Sequence, residues 1–354
     1  MVRYPRLQVL ADGEPLNGAF EARVVSNNYY MPDRFSLRLL RGSLTNGLPD
    51  YLQLPEATAF SISAGVDSGA SFTCLIVGRG DSLSCDYVSR GIRIDGRDLS
   101  AVLQDTPTND VFSNRTSSEI ATILAERHGL IPVVMPTATL AGRYYHGDTN
   151  QGAHNQFSRT STEWDLLVFL ARCECFDIFV VGSALYFQPI AQGLGVSTVL
   201  RPSDLITLKL RRRLRLSGDI AVTVRSWSSK QSIAITQTVV SQRLGYASVA
   251  GSLGASPTQH YYLVQPNLSA SDAERIAQNR VEELARHEQC IDFTMPGEQT
   301  LTARSRFFLQ GTDSDFDQIY QVDSIERTIS SSSGFVQRVS AHSISTRQTI
   351  LSPF

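Results

Sequence analysis

Short runs in which apolar and polar residues alternate fill the first 95 residues: Phe20 to Val25, Phe35 to Leu40, Ala59 to Ser63, Phe72 to Val77 and Ser84 to Ser89. Turn formers separate them at Asn27-Asn28, Gly42-Ser43 and Asp67-Ser68-Gly69. Runs bounded in this way predict strands, and several at this spacing predict a small barrel or sandwich.

Further on, the period lengthens. Thr116-Ser117-Ser118-Glu119 has capping-box spacing, in which hydroxyl and carboxylate each satisfy a free backbone N–H. Ile120, Ile123 and Leu124 follow at helical intervals, and Gly129 after His128 suits a left-handed stop, so a helix is predicted over 118–128. A second helix is predicted from Thr162 to Arg172, with Glu163 and Asp165 near its positive end and Leu166, Leu167, Phe169 and Leu170 on its apolar side. The stretch 141–156 between them, rich in Gly, Asn and His, reads as a loop. Strands return at Ile178 to Val181 and Leu185 to Gln188, joined by Gly182-Ser183.

Over 205–240 the pattern is strand-like again. Leu208, Leu210, Leu214 and Leu216 share one parity, and Lys209, Arg211, Arg213 and Arg215 the other. A period of two puts the leucines on a core face and four cations on the opposite face. Ile220, Val222 and Val224 continue as a second strand ending at Arg225-Ser226-Trp227. Ser271-Asp272-Ala273-Glu274 has capping-box spacing for a helix reaching about His287, with Ile276, Ala277, Val281, Leu284 and Ala285 on one face. From Gln299 strands resume, with Ser331 to Gly334 as the hairpin loop between Ile325 to Ile329 and Phe335 to Ala341. No repeat of 20 to 50 residues is present. The prediction is a mainly β chain with helices inserted in two places.

Composition narrows the class. At 354 residues the chain exceeds one ordinary core, which predicts two or three domains. Its 42% hydrophobic and 19% charged residues are a globular balance. A net charge of -2 gives no general attraction to nucleic acid or acidic lipid, so any contact with a polyanion would be local. No apolar run approaches the roughly 20 residues of a membrane span, and Met1-Val2-Arg3-Tyr4-Pro5-Arg6 lacks the apolar core of a secretory signal. The expectation is a soluble chain made in a cytoplasm. Five scattered cysteines, Cys74, Cys85, Cys173, Cys175 and Cys290, fit reduced, mostly buried thiols better than a disulfide framework.

Candidate chemistry is sparse. No G-x-S-x-G elbow occurs, and the six histidines are dispersed. Cys173-Glu174-Cys175 and His146 with His154 are the best metal-ligand clusters, but neither has the paired spacing of a structural zinc site. Two buried thiols and two solvated imidazoles account for them. Gly193-Leu194-Gly195 lacks the third glycine of a dinucleotide fingerprint. Arg79-Gly80-Asp81-Ser82 reads as a turn between strands, and Asn114-Arg115-Thr116 and Asn267-Leu268-Ser269 sit where helix caps are expected. The run Arg211-Arg212-Arg213-Leu214-Arg215 is the strongest local charge signal. It could meet phosphates or an acidic partner. A solvated strand face is the plainer reading, and its leucines argue against a disordered basic arm.

Four stretches carry a family resemblance. Gly91-Ile92-Arg93-Ile94-Asp95-Gly96-Arg97-Asp98-Leu99-Ser100 comes first, with the helix Ser118 to His128 and Gly129 after it. Phe157 to Leu167 with Leu170-Ala171 is second, and Val222-Thr223-Val224-Arg225-Ser226-Trp227 with Lys230 is third. The fourth joins Ser271 to Arg286, Thr294-Met295-Pro296-Gly297 and Ile319 to Ile325. In this order they resemble the tail hub proteins of contractile phages and related injection particles, the family that includes late control protein D. The N-terminal part of the type VI secretion spike is similar. The first polar positions of the second stretch depart from the family phrase, and Cys175-Phe176 replaces the usual Gly-Phe. The resemblance spans about residues 90 to 345, and the first barrel rests on position and strand texture.

The resemblance implies a mainly β chain with two similar antiparallel β-barrel, tube-type domains and a mixed α/β outer domain. The first barrel is expected at 1–95, the outer domain at 96–203 plus 243–297, and the second barrel at 204–242 plus 298–354. It further implies a homotrimer in a virion baseplate, assembled in the host cytoplasm, whose six barrels adapt a sixfold tail tube to a threefold spike around a channel for the genome. Implied partners are the central spike, the tail tube or tube-initiator protein, baseplate wedge proteins and the tape measure protein, with no specific nucleic acid and no membrane insertion. No catalytic residue, cofactor or metal is expected. No β-helix repeat precedes Phe354, so the spike is expected to be a separate protein. Lys209, Arg211, Arg213 and Arg215 are the candidate basic face toward a partner or the lumen. Two rival readings remain: a cell-wall-degrading tail enzyme, marked by an acid pair or triad in a cleft, and a nucleic-acid-binding module on the 209–215 strand, marked by steep salt dependence.

Overall fold

Alternation along the N-terminal strands is realised as a curled antiparallel sheet. In this computed structural model the described residues are 5–40, 58–66, 72–108, 110, 112, 114–138, 140–141, 162–190, 198–217, 219–228, 233–241, 258–265 and 268–344. The first unit contains β1 (Arg6–Ala11), β2 (Glu14–Pro15), β3 (Ala19–Asn27), β4 (Arg34–Leu40), β5 (Ala59–Gly65), β6 (Thr73–Asp86) and β7 (Gly91–Asp98). Their order is β3-β4-β7-β6-β5-β1-β2. Every second side chain points inward, so Phe35, Leu37 and Leu39 of β4 meet Val24, Phe60, Ile62, Ile76, Ile92 and Ile94 in one core. Among the described residues no ladder joins β1 to β3, so the sheet is curled around its core without a bonded closure.

Two sequence expectations change here. The stretches near 72–77 and 84–89 are one long strand, and Arg79-Gly80-Asp81-Ser82 is a register shift within it, not a turn. A bulge lets the chain bend while pairing continues on both sides. Gly91–Asp98, expected as a link, is instead the strand between β4 and β6. Gly96 is required there, because a Cβ would run into the Arg79 carbonyl and the Phe35 ring. The turns expected at Gly42-Ser43 and Asp67-Ser68-Gly69 lie outside the described residues.

The outer lobe follows: α1 (Ala101–Asp105), α2 (Ser117–Arg127), β8 (Ile131–Val134), α3 (Glu163–Glu174), β9 (Phe176–Val181) and β10 (Ala184–Pro189). The strands form a sheet ordered β8-β10-β9, and the helices pack with it around Leu103, Ile120, Leu124, Trp164, Leu167, Leu170, Ile178 and Phe187. Thr116 and Thr162 each cap a helix in a full capping box, with Glu119 and Asp165 as the reciprocal partners. α3 stops at Cys175, whose left-handed φ of 59° occupies the place where glycine is easiest.

After β11 (Thr198–Leu200) and β12 (Thr207–Arg212) come β13 (Ile220–Ser228), β14 (Ile233–Ser241), β15 (Gln259–Val264) and α4 (Ala270–Arg286). The 220–241 hairpin, expected within the second barrel, pairs elsewhere: β13 lies between β14 and β15 in a separate three-stranded sheet. α4 covers one face of that sheet, and Ile220, Val222, Val224, Ala273, Ala277 and Val281 form their common core. The reason is pairing in parallel with β15, which sequence alternation cannot reveal. The α4 cap is Ser269, with Asp272 three residues on, two positions earlier than the Ser271 box predicted.

The remaining strands are β16 (Gln289–Pro296), β17 (Arg306–Leu309), β18 (Ile319–Ser330) and β19 (Gly334–Ser343). With β11 and β12 they enclose a second core of Ile291, Phe293, Leu301, Phe307, Tyr320, Val322, Ile325 and Val339. β18 is shared: its start pairs with β17, and Ser324 to Ser330 pair with Asn27 to Glu21 of β3. Both curled units are therefore one continuous sheet. The result is mainly β with helices inserted.

Candidate functional site

Of the four cations singled out by parity, Lys209 and Arg211 lie two apart on one strand, and Arg213 follows its end. β12 ends at Arg212, and Leu214 to Ser217 form a 3₁₀ turn, so alternation stops halfway through the run. Leu208 leans on the second core, Leu216 enters the β13–α4 core, and Leu210 and Leu214 are exposed. Lys209 and Arg213 are exposed, and the side chain of Arg215 lies outside the described residues. Arg211 pairs with Asp292 at 2.6 Å, and Arg212, which parity did not single out, pairs with Glu288 at 2.8 Å. Carboxylates on β16 and just before it therefore offset part of the charge on this strand.

The polar side chains that do converge lie where the units meet. β3 ends in a tight turn where Tyr29 and Tyr30 both take positive φ, 60° and 65°. Such backbone costs a non-glycine residue on the order of 1–3 kcal/mol and persists only where the surroundings fix it. Tyr30 is fixed by the outer lobe: its hydroxyl donates to the Phe176 carbonyl at 3.0 Å, and the Trp164 indole donates to its own carbonyl at 3.0 Å. Arg172 stacks over its ring.

Tyr29 turns the other way, with its hydroxyl 3.1 Å from Nδ1 of His342. That same nitrogen lies 2.5 Å from Oδ1 of Asp323. Asp323 is the extra residue of a bulge between Val322 and Ser324, which aims its carboxylate at the neighbouring strand. His287, just past the end of α4, completes the group, its ring centroid 5.0 Å from that of His342. The ligand atoms of His287, Asp323 and His342 all lie within 4.8 Å of one another, the one such group among the described residues. Burial and the nearby His342 lower the pKa of His287, so its neutral imidazole is favoured. Burial and Asp323 push the Tyr29 phenol well up, so it stays protonated and donates.

A second polar seam runs beside it. Arg304 pairs with Asp177 of β9 at 2.6 Å, lies 3.8 Å over the Phe179 ring and reaches the Asn27 carbonyl. Asp33 accepts from the Asn27 N–H at 2.7 Å, and its own N–H donates to Asp98. Burial and the Asp98 charge raise its pKa to about 7. Glu163, 1% exposed at the start of α3, holds Arg127 at 2.5 Å and His128 at 2.6 Å.

Of the metal candidates in the sequence, Cys173 and Cys175 are thiols that burial holds protonated, Cys173 at about 12. Cys175 Sγ receives Asn279 of α4 at 2.5 Å. His146 and His154 lie outside the described residues. The His287–Asp323–His342 group was invisible because its members are 19 to 55 residues apart and carry no spacing motif.

No family model and no curated protein matches the chain. Solved structures do match across almost its whole length. A tail protein from Neisseria meningitidis MC58 superposes with a TM-score of 0.68 at 12% identity, covering 96% of each chain. The 43 kDa tail protein of prophage MuSo2 from Shewanella oneidensis gives 0.66 at 16% identity, over 95% of this chain and 97% of that one. An E. coli type VI secretion component, described as structurally similar to the T4 tail proteins gp27 and gp5, gives 0.57 at 10% identity, over 96% and 77%. The fold of this chain is that of these tail proteins and of the type VI secretion component.

Proposed function

We propose that the chain is a structural subunit of a phage-type tail, namely the baseplate hub of a contractile tail. The observation that carries this reading is the fold likeness to two tail proteins over at least 95% of both chains, with no large part left unmatched. In the proposal three copies surround an axial channel, adapt the sixfold tube to the threefold spike and let the genome pass. Its partners are the spike, the tube or tube initiator, the wedge proteins and the tape measure protein. The chain works by docking and turns over no substrate.

Two surfaces suit such a part. β12 is an edge of the long sheet, where backbone groups can accept a strand from a neighbour. On the β13–β15 sheet Trp227, Ile233, Val240, Tyr262 and Val264 are exposed large apolar side chains, the kind of surface that marks a protein contact. The ion pairs of Arg211 and Arg212 weaken the nucleic-acid reading of the basic strand.

Mass measurement of the purified chain is the test. Three times the monomer mass at micromolar concentration is expected, and a stable monomer there would overturn the trimeric hub.

A further inference from the structure

We propose that His287, Asp323 and His342 form a binding site for one divalent transition-metal ion of the zinc class. Two imidazoles and a carboxylate are the donor set of many zinc sites, and three protein donors leave a fourth tetrahedral position open. The Tyr29 hydroxyl, 3.1 Å from His342, or a water would fill it.

The geometry brings the three donors into reach of one ion. His342 and Asp323 are paired at 2.5 Å, and the His287 ring lies against His342 with its ligand atom within 4.8 Å of both partners. Bonds of about 2.0–2.2 Å to a tetrahedral ion set neighbouring donors roughly 3.3 Å apart. Reaching that spacing takes a rotation of His287, which lies one residue beyond the helix, and an opening of the 2.5 Å His342–Asp323 contact as the ion takes the place of the shared proton. His342 is 2% exposed and Asp323 sits on a bulge, so two of the three donors are fixed in advance.

Charge of both signs surrounds the group. His287 caps the C-terminus of the 17-residue helix α4, whose partial negative charge favours a cation. Arg213 and Arg286 act on the group from the positive side, and Glu283 and Asp323 offset them. An ion here would tie the end of α4 to β18 and β19 beside the Tyr29 turn, adding one link to the backbone ladders that already join these strands.

The test uses the full chain, stripped with chelator, with zinc chloride and cobalt chloride as probes. Expected are one equivalent of zinc per chain surviving gel filtration and visible d–d absorption from the cobalt form. His287→Ala should weaken zinc binding by about 10–100-fold or more, while the His146→Ala/His154→Ala double variant should bind normally. No retained zinc, binding untouched by His287→Ala, or binding lost in the double variant would each overturn the site. Should His287→Ala fail to fold, diethyl pyrocarbonate labelling of the unaltered chain decides: zinc must shield the part-buried His287, and equal labelling of His287 with and without zinc refutes the proposal.

Discussion

Asp33 shows how much a single side chain at the junction can weigh. Its carboxyl is buried beside Asp98 and its pKa is raised to about 7, above the usual value near 3.9. The folded state therefore holds a proton that the unfolded chain releases. Its contribution is fully present below about pH 4 and is lost as pH rises toward 7. Asp33→Asn keeps an oxygen for the Asn27 N–H but cannot ionise. Urea unfolding of this variant is expected to show a gain of roughly 2–4 kcal/mol over the parent at pH 8, shrinking to little at pH 4; a pH-independent difference would refute the assignment. Gly297 is a second residue-scale constraint. A Cβ there would enter the Phe335 ring, which gives the Pro296-Gly297 pair of the family resemblance a steric reason.

At the scale of elements, caps and hairpins were the most legible features. Thr116 and Thr162 stand at the helix starts their spacing predicts, because a capping box is satisfied by residues three apart and needs nothing else. Thr162→Ala should cost about 1 kcal/mol of stability in chemical denaturation, whereas Ser271→Ala in α4 should cost little, since Ser269 is the cap there. The hairpins across Gly182-Ser183 and Ser331 to Gly334 also lie as predicted. Where a strand continues through a bulge, as β6 does at Asp81, the glycine and aspartate that signal a turn in sequence mark only a bend. Asp81 instead pairs with Arg97 at 2.7 Å. Alternation describes a strand only while the strand lasts, and β12 stops at Arg212, so it covers Lys209 and Arg211 and not the whole run to Arg215.

For the whole molecule, rigidity is decided at the seams. Arg304 and Asp177 join the second curled unit to the outer lobe through a largely buried ion pair. Removing one partner of such a pair leaves a charge without compensation, so Arg304→Met should cost roughly 3–5 kcal/mol. Arg304→Met/Asp177→Leu should recover much of that loss, and a double variant as weak as the single would show that the pair is not the cause. Buried polar seams of this kind can fix orientation more than they add stability.

The sequence by itself determined the mainly β class, the helix starts, the hairpins and the family resemblance, because each depends on residues a few positions apart. Tertiary structure alone decided which strands pair, and so moved the 220–241 hairpin into its own sheet with α4. It also brought together Tyr29, His287, Asp323 and His342, whose proximity follows from long-range pairing of β3 with β18 and β18 with β19. Contacts between residues far apart in the chain are set by closure of the sheet, and no local pattern of apolar and polar positions records them.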